Sequence, residues 1–245
     1  MITAEAMLRA METLPLGTPD SIAQGRPVLI LAPHADDESL GCGGLIHLLS
    51  ARGNPPYVLI MTDGTGSHPN SASHPAPRLK AVREAEAREA VALLGLPAGR
   101  IGFAGLRDTA APTAGPAFDD AVAAVCALCR AQQIAAILAP WQHDPHCDHE
   151  AAHLVAAAAA QRLALRHWAY PVWGWTLPVD RLLPGPLPSG VRLNVQDAMP
   201  LKTRAILAHR SQYGELITDD PSGFSLPRHL LAVFEQPFET YLHIQ

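Results

Sequence analysis

Three times along this chain a short, uninterrupted apolar run stops at a polar loop, and a segment with helical periodicity follows. The runs span residues 28–32, 57–62 and 134–139. Runs this short and this apolar are typical of strands that are buried on both faces, as in parallel sheets. Strand, loop and helix recurring in this order predict βαβ units, and therefore an α/β fold built on a mostly parallel sheet.

The segments around these runs have the apolar spacing of helices that cover a sheet. Helices are predicted at residues 1–14, 43–51, 78–94, 118–132, 150–165 and 202–212. Short additional strands are predicted at residues 101–103 and 191–195. Because no internal repeat or low-complexity tract divides the chain, we expect a single domain over residues 1–245. Its core is expected at about 28–212 and a C-terminal closing segment at about 213–245.

Composition argues against several classes of partner. The formal net charge is -5 and no basic run occurs, which disfavours nucleic acid and anionic membrane surfaces. No apolar run approaches the roughly 20 residues that span a bilayer, and no leader-like segment is recognisable, so we expect a cytoplasmic location. The four cysteines are scattered, and Cys126-x-x-Cys129 is interpreted as core packing. The oligomeric state is left open.

The loop after the first apolar run is rich in groups that perform chemistry. His34 follows Pro33, and Asp36, Asp37 and Glu38 come next in an unbroken row of acids. In open α/β sheets ligands bind at the carboxyl ends of the strands, so this loop predicts an active site. Acids at a helix N-terminus would favour the helix dipole without any further role, but that explanation does not require His34.

A second polar loop follows the third long apolar run and contains His146, Asp148 and His149. Imidazole nitrogens and carboxylate oxygens are the ligands that catalytic zinc uses. If the two loops meet, His34, Asp37 and His149 could therefore hold one ion. Two histidines and one carboxylate also suit Fe(II), so the residues alone leave the metal open.

The remaining groups of the two loops suggest the other parts of a hydrolase. Asp36 is a candidate general base for a metal-activated water molecule, and Glu38 is expected to support the turn. His146, held protonated by Asp148, could donate to the oxyanion of a tetrahedral intermediate. These roles predict hydrolysis of an acyl bond.

The motifs resemble the signatures of the LmbE-like/PIG-L family of zinc-dependent de-N-acetylases. Residues 33–38 are similar to the family's P-H-x-D-D-E, and residues 146–149 are similar to its H-x-D-H. Supporting matches are Thr62-Asp63-Gly64, Arg83-x-x-Glu86 with Leu94-Gly95, and Lys202-x-x-Ala205-x-x-x-His209-x-Ser211-Gln212. Their order and spacing cover about residues 28–212, and the two signatures in this order are far more specific than either one alone.

The resemblance implies a Rossmann-like three-layer α/β sandwich with the active site at the C-terminal ends of the strands. It implies metal-dependent hydrolysis of the N-acetyl group of a small N-acetylglucosamine-type sugar derivative, with Zn²⁺ as cofactor, releasing the amine and acetate. Carried over residue by residue, it implies metal ligation by His34, Asp37 and His149, catalysis by Asp36, His146 and Asp148, and substrate binding by Arg83 and His209.

One position departs from the family pattern. Some members have a tyrosine two residues before the first histidine of the second signature, where it assists the oxyanion, and here that position is Asp144. The chain therefore either lacks this helper or replaces it with another residue. Cys147, in the variable position of the signature, could be a redox-sensitive neighbour of the metal or an inert thiol.

Two other functions are compatible with parts of the sequence. His149-Glu150-Ala-Ala-His153 spells H-E-x-x-H, the helix signature of zinc peptidases, but no third ligand follows at the expected distance and the His34 loop would have no role. A non-catalytic sugar- or nucleotide-binding module is suggested by the glycines at 41, 43 and 44. Their spacing is not G-x-G-x-x-G, and three preceding acids would repel a pyrophosphate.

Overall fold

The computed structural model describes residues 1–214 and 216–244, and over these residues the chain forms ten strands and eight α-helices. The strands are β1 (Ile2–Thr3), β2 (Leu16–Gly17), β3 (Val28–Ala32), β4 (Tyr57–Thr62), β5 (Ile101–Leu106), β6 (Ala136–Pro140), β7 (Arg166–Tyr170), β8 (Leu182–Leu183), β9 (Gly190–Asn194) and β10 (Phe238–Ile244). The helices are α1 (Ala4–Glu12), α2 (Pro19–Ala23), α3 (Asp37–Ala51), α4 (Ala76–Leu93), α5 (Gly115–Ala131), α6 (Cys147–Leu163), α7 (Met199–Ala208) and α8 (Arg228–Phe234).

An eight-stranded sheet in the order β2-β9-β10-β7-β6-β3-β4-β5 organises these elements. The five strands from β7 to β5 in this order are mutually parallel. β10 is antiparallel to both of its neighbours, and β2 is parallel to β9. β1 and β8 pair separately as a short antiparallel ribbon. The expected fold class, α/β with a mostly parallel sheet, is confirmed.

Helices pack on both faces of the sheet, which gives three layers. Along β3, Val28, Ile30 and Ala32 belong to the core under α3, α4 and α7, whereas Leu29 and Leu31 belong to the core under α5 and α6. All five residues are completely buried. Burial on both faces explains why this strand is a continuous apolar run rather than an alternation of apolar and polar residues.

The predicted bounds hold best for the fully apolar strands, and β3 and β4 have the predicted bounds. α3 begins at Asp37 rather than at residue 43, since the acids of its first turn are favourable at a helix N-terminus. β5 continues to Leu106 rather than ending at residue 103. β7 was not predicted at all, because its sequence includes Arg166 and His167 and lacks the expected apolar run.

The C-terminal segment, expected only to close over the core, supplies the internal strand β10. The sequence did not predict β10 because the strand contains an acid, Glu239, which is nevertheless buried with only 3% of its surface exposed. Glu239 accepts hydrogen bonds from the backbone N–H groups of Gly44 and Leu45 in α3, at 2.6 and 2.9 Å, and from Lys202 Nζ at 2.7 Å. Such tertiary partners make a buried carboxylate tolerable. In the part of the chain that the structure describes, no helix combines the length and apolar character that crossing a membrane requires.

Candidate active site

Loops that follow the five parallel strands meet at one edge of the sheet. β3 pairs with β4 on one side and with β6 on the other, so the chain leaves β3 at a point where the strand order changes direction. Such switch points are the usual ligand sites of open α/β sheets. The loop after β3 carries the residues from His34 to Asp37, and the loop after β6 leads to His146 and His149. The topology therefore brings the two predicted loops side by side.

Asp37 contacts both of the other predicted metal ligands. Asp37 Oδ2 lies 3.2 Å from His34 Nδ1 and 3.3 Å from His149 Nε2. Ligands about 2.0–2.1 Å from a tetrahedral zinc are separated by about 3.3–3.4 Å, so these separations fit a common ion. His149 Nε2 is buried and has no hydrogen-bond partner among the described residues. A divalent cation binds to unpaired imidazole nitrogens and to carboxylate oxygens. His34, Asp37 and His149 therefore have the donor atoms that such a metal ion requires.

His146 offers an alternative donor to the same space. His34, His146 and His149 each present one nitrogen, and these atoms lie within 4.8 Å of one another. We favour Asp37 over His146 as the third ligand because its Oδ2 is within 3.3 Å of both other donors, and because it supplies the negative charge that a buried cation needs.

Asp144 positions His149 from behind, which is a role that sequence reasoning missed. Asp144 Oδ2 accepts from His149 Nδ1 at 3.0 Å, so Nε2 is the nitrogen left for a metal. The same carboxylate accepts backbone N–H groups of Val172, Trp173 and Gly174 at 2.9, 3.1 and 2.7 Å. Both side chains are 0% exposed. Asp144 is thus committed to the loop after β7 and to His149, not to an oxyanion.

Asp148 and Asp108 hold the other face of His34. Asp148 Oδ2 is 3.0 Å from His34 Nε2, and Asp108 Oδ1 is 3.3 Å from the same nitrogen. Asp148 also accepts the backbone N–H groups of Thr109 and Ala111 at 2.7 and 3.0 Å. The expectation that Asp148 orients His146 therefore differs from the structure, in which its carboxylate contacts His34. Asp108 was missed because β5 was predicted to end before Leu106; a polar residue just beyond that strand end was the available signal.

The protonation of this cluster reflects its crowding of carboxylates and imidazoles. Burial lowers the pKa of His34, but hydrogen bonds with Asp108, Asp148 and Asp37 outweigh it and raise that pKa well above the ordinary value. Burial likewise opposes the charge of His149, yet Asp37 and Asp144 raise its pKa to about 9. Burial alone would raise the pKa of Asp37, but His149 and His34 hold it well below its usual range. The carboxylates thus favour positive charge next to Asp37 Oδ2.

Asp36 combines a strained backbone with an uncommitted carboxylate. Its φ of 148° and ψ of -30° lie in a region that disfavours L side chains. Its nearest basic partner is Arg83, whose Nη2 is 3.7 Å from Oδ2. Burial and the adjacent charge of Asp37 raise the pKa of Asp36 to about 6, with Arg83 acting in the opposite direction. A buried carboxylate with a raised pKa, lining a cavity, has the properties of a general base.

Glu38 and His209 support this turn from below. Glu38 Oε2 accepts the backbone N–H of Asp36 at 2.9 Å, and Glu38 Oε1 lies 3.1 Å from His209 Nε2. His209 is 1% exposed and is not among the residues that line the cavity beside Asp36. Burial lowers the pKa of His209, but Glu38 raises it above its ordinary value. Substrate binding by His209 stays a prediction, and its contacts favour a positioning role.

His146 faces the cavity as a half-buried imidazole. Its Nδ1 accepts the backbone N–H of Asp148 at 3.2 Å, so in the neutral ring the hydrogen is on Nε2. Burial and the neighbouring rings of His34 and His149 lower the pKa of His146. In this tautomer the neutral ring donates through Nε2–H, and the protonated form expected from the sequence stays a prediction.

Arg83 lines the cavity and clamps two loops at the same time. It donates through Nη1 to the carbonyl oxygen of Gly64 at 3.1 Å and through Nη2 to that of Ala35 at 3.0 Å. A Cβ at Gly64, which has a φ of +68°, would lie 2.8 Å from the Arg83 side chain. Arg83 itself is only 3% exposed. Arg83 thus braces the loops after β3 and β4, and its predicted contact with a substrate remains a prediction.

A cavity of about 320 Å³ opens above these groups. Its polar end is lined by His34, Asp36, Asp37, Arg83, Asp108 and His146. Its apolar wall is formed by Leu40, Trp173, Phe224 and Leu226. A larger cavity of about 700 Å³ lies beyond Leu40, between α1, α8 and β10, but none of the predicted site residues lines it. The chemistry points to the smaller cavity.

The H-E-x-x-H segment does not form a metal site among the described residues. His153 Nδ1 is 3.2 Å from the carbonyl oxygen of Pro140, and its ring lies 5.2 Å from that of His167. Glu150 is exposed. His149 and His153 therefore serve different surroundings although they are one turn apart on α6. The Cys126-x-x-Cys129 pair is buried in the core under α5, as the sequence predicts.

The parallel sheet, the His34–Asp37–His149 cluster and the carboxylate of Asp36 beside it are typical of α/β hydrolases that use a divalent metal. Comparison with known proteins narrows this class. Residues 29–160 match the model of the family PIG-L, GlcNAc-PI de-N-acetylase. The match spans more than half of the chain, and the chain belongs to this family.

Individual relatives are deacetylases. The chain is 27% identical over 277 residues, covering 90% of each protein, to 1D-myo-inositol 2-acetamido-2-deoxy-alpha-D-glucopyranoside deacetylase of Rhodococcus erythropolis. Its fold is similar to that of N,N'-diacetylchitobiose deacetylase from Pyrococcus horikoshii, with a TM-score of 0.65 and 21% identity over 98% of this chain and 90% of the other. A zinc-inhibited form of the teicoplanin deacetylase Orf2 is similar as well, with a TM-score of 0.62 and 16% identity over 89% and 97% of the two chains.

Proposed function

We propose that this protein is a divalent-metal-dependent N-deacetylase that hydrolyses the acetamide of a small N-acetylglucosamine-type sugar. The observation that carries the proposal is that Asp37 Oδ2 lies 3.2 Å from His34 Nδ1 and 3.3 Å from His149 Nε2, beside the cavity that Asp36 lines. Membership of the PIG-L family and the deacetylase activity of its relatives support the choice of bond. Water and the amide are consumed, and acetate and the free amine are released.

The proposed ligands are His34, Asp37 and His149, and the proposed cofactor is zinc. A divalent cation held there would polarise the acetyl carbonyl and lower the pKa of a water molecule. Asp148 and Asp108 orient His34, and Asp144 orients His149, because each carboxylate accepts from the ring nitrogen that faces away from Asp37. Such outer partners fix the tautomer of a ligating histidine. The same donor set also suits Fe(II), so metal analysis of the active protein decides the identity.

Proton transfer is assigned to Asp36. Its carboxylate, whose nearest basic partner is Arg83 at 3.7 Å, takes a proton from the attacking water molecule. The same proton then goes to the nitrogen of the leaving amine, so that no net proton is left on the protein. A pKa raised to about 6 suits a group that must accept a proton and give it back near neutral pH.

His146 is assigned to the oxyanion. Its Nε2–H donates to the oxygen that becomes negative when the acetyl carbon turns tetrahedral, while Nδ1 is fixed by the backbone N–H of Asp148. Arg83 holds the carbonyl groups of Ala35 and Gly64 and so keeps the loop that carries Asp36 in place. The sugar is expected to occupy the rest of the cavity.

The test is an amine-release assay on the purified protein with a panel of N-acetylglucosaminides. We expect turnover with added Zn²⁺, loss of turnover with a chelator, and recovery when metal is restored. Asp36→Asn should keep bound metal, measured by elemental analysis, and lose about 100-fold or more in kcat. Glu150→Gln is the matched control, because Glu150 is an exposed acid on α6 next to His149.

Two outcomes would overturn the proposal. Full activity in a metal-free preparation would rule out the assigned ligands. Hydrolysis of peptides that is abolished by Glu150→Gln would favour the H-E-x-x-H peptidase instead. A cytoplasmic location and a small-molecule amino-sugar partner remain parts of the proposal, which fluorescence microscopy of a tagged chain and the substrate panel test.

A further inference from the structure

Gln212 is a buried residue of the cavity that the proposed reaction leaves without a role. Gln212 is one of the residues that line the cavity, together with Asp36 and Arg83. The residue is 0% exposed, and its Oε1 has no hydrogen-bond partner among the described residues. A buried amide oxygen without a partner is unfavourable, so an unpaired one at a ligand cavity indicates that a ligand pairs with it.

The orientation of the Gln212 amide is fixed by its neighbours. Ser211 Oγ donates its one hydroxyl hydrogen to Glu86 Oε2 at 2.6 Å. Ser211 Oγ can therefore only accept at its second contact, which is Gln212 Nε2 at 2.8 Å. The amide nitrogen must face Ser211, and the carbonyl oxygen is the atom left over. Glu86 also accepts the backbone N–H of Ser211 at 2.9 Å, which anchors the whole arrangement to α4.

The partner that fits Oε1 is a hydrogen-bond donor inside a cavity built for a sugar. Leu226 N–H donates to the Gln212 carbonyl oxygen at 2.7 Å, so the backbone here is already held in place. Carboxylates and carbonyl groups of a substrate cannot donate, whereas its hydroxyl groups and its acetamide N–H can, and of these donors the ring hydroxyls distinguish one amino sugar from another. We propose that Gln212 Oε1 accepts a hydrogen bond from one ring hydroxyl of the amino sugar and makes this residue a determinant of sugar specificity. The proposal rests on the deacetylase function proposed above.

The first arm of the test uses the unaltered, metal-loaded protein. Its kcat/KM is measured for methyl N-acetylglucosaminide and for the 3-deoxy, 4-deoxy and 6-deoxy analogues. We expect one analogue to be about 10- to 100-fold poorer, because the missing hydroxyl leaves Oε1 unpaired in the complex. This arm needs no variant and is independent of folding defects.

The second arm compares Gln212→Met with Gln196→Met. Methionine is similar in size to glutamine but has no amide oxygen, and Gln196 is an exposed glutamine that does not line the cavity. Gln212→Met should have a kcat/KM for the parent sugar about 10- to 100-fold lower than that of the wild type. For the sensitive deoxy analogue, the kcat/KM of Gln212→Met should equal that of the wild type. Gln196→Met should keep the full discrimination. Thermal unfolding of both variants checks that the fold is intact.

The outcomes separate this inference from the function on which it depends. The inference is supported if Gln212→Met no longer discriminates between the parent sugar and the sensitive deoxy analogue while Gln196→Met still does. An equal loss for the parent and every analogue means that Gln212 is merely structural, and a wild type that treats all four sugars alike means that Oε1 pairs with water; either result overturns the inference while deacetylation stands. Absence of turnover with every sugar would overturn the proposed function itself.

Discussion

Asp144 and His149 are joined by a hydrogen bond of 3.0 Å between Asp144 Oδ2 and His149 Nδ1, and both side chains are fully buried. The same carboxylate receives the backbone N–H groups of Trp173 and Gly174. A Cβ at Gly174 would lie 2.6 Å from Asp144 Oδ1, so only glycine allows this close approach. One side chain thus fixes both a proposed metal ligand and the aromatic wall of the cavity.

Asp144→Asn should weaken metal binding. An amide presents either its oxygen or its NH₂ group, so it cannot accept from His149 and from three backbone N–H groups as a carboxylate does. We expect about 10- to 100-fold lower metal affinity, measured by competition with a chromophoric chelator. Asp197→Asn, at an exposed acid, is the control. Unchanged affinity in a folded Asp144→Asn protein would contradict this positioning role.

Asp36→Gly should stabilise the protein and inactivate it. Glycine adopts a φ of 148° without strain, and its introduction also removes a buried carboxylate from beside Asp37. Relief of strain of about 1–3 kcal/mol, less the backbone entropy of glycine, predicts a net gain of about 1 kcal/mol in the free energy of unfolding. Urea denaturation compares it with Asp36→Asn, which keeps the strained backbone. A Gly variant no more stable than the Asn variant would argue against stored strain.

Acid should destabilise the fold through His167. Burial lowers the pKa of His167 to about 3, with His153 acting in the same direction, whereas the unfolded value is near 6.5. Below pH 6.5 the unfolded chain therefore binds a proton that the folded chain does not, and stability falls as the pH decreases towards 3. Between pH 7.5 and pH 5 this group should account for about 1–2 kcal/mol of lost stability.

The variant His167→Gln isolates this contribution from other titrating groups. Its free energy of unfolding, measured in urea at both pH values, should fall less steeply than that of the wild type. His229→Gln is a suitable control, since His229 is exposed. If the wild type and His167→Gln lose the same stability, then His167 is not neutral in the folded protein.

Neutral aglycones should be preferred to anionic ones. Among the described residues that line the cavity, Arg83 is the only lysine or arginine, and its guanidinium already donates to Gly64 and Ala35. The apolar wall of the cavity includes the rings of Trp173 and Phe224, whose centroids are 5.9 Å apart. Phenyl N-acetylglucosaminide should therefore have about tenfold higher kcat/KM than a phosphate-linked N-acetylglucosamine. Trp173→Ala should reduce this ratio, and a preference for the phosphate would show that a cation reaches the cavity.

The ligand loops could be predicted because their signals are local. His34, Asp36 and Asp37 directly follow a fully apolar strand, and the rule that ligands bind at strand ends needs no further information. His149 required only that β6 lie next to β3, which a βαβ order makes natural. The proposed metal ligands and the proposed base therefore come from two short segments, the loops that follow β3 and β6.

The groups that orient these ligands could not be predicted in the same way. Asp144 contacts residues after β7, a strand whose Arg and His hid it, and Asp108 follows a strand whose predicted end was too early. The orientation of the Gln212 amide depends on the hydrogen bond between Ser211 and Glu86, which are 125 residues apart in the chain. Which hydrogen bonds a buried polar group makes is set by tertiary packing, and no local pattern encodes it.

The placement of β10 has a consequence for how the protein is made. Within residues 1–214 and 216–244, β9 and β2 join the parallel strands only through β10, and Glu239 of β10 accepts hydrogen bonds from the backbone of the helix that begins at Asp37. Residues 238–244 must leave the ribosome before this sheet can be completed. β2, which is synthesised early, can therefore join the sheet only after β10, which is synthesised last of the strands described. Contacts of such high sequence separation slow folding. A nascent chain stalled before β10 would expose the edge of β7 and be a natural client for chaperones.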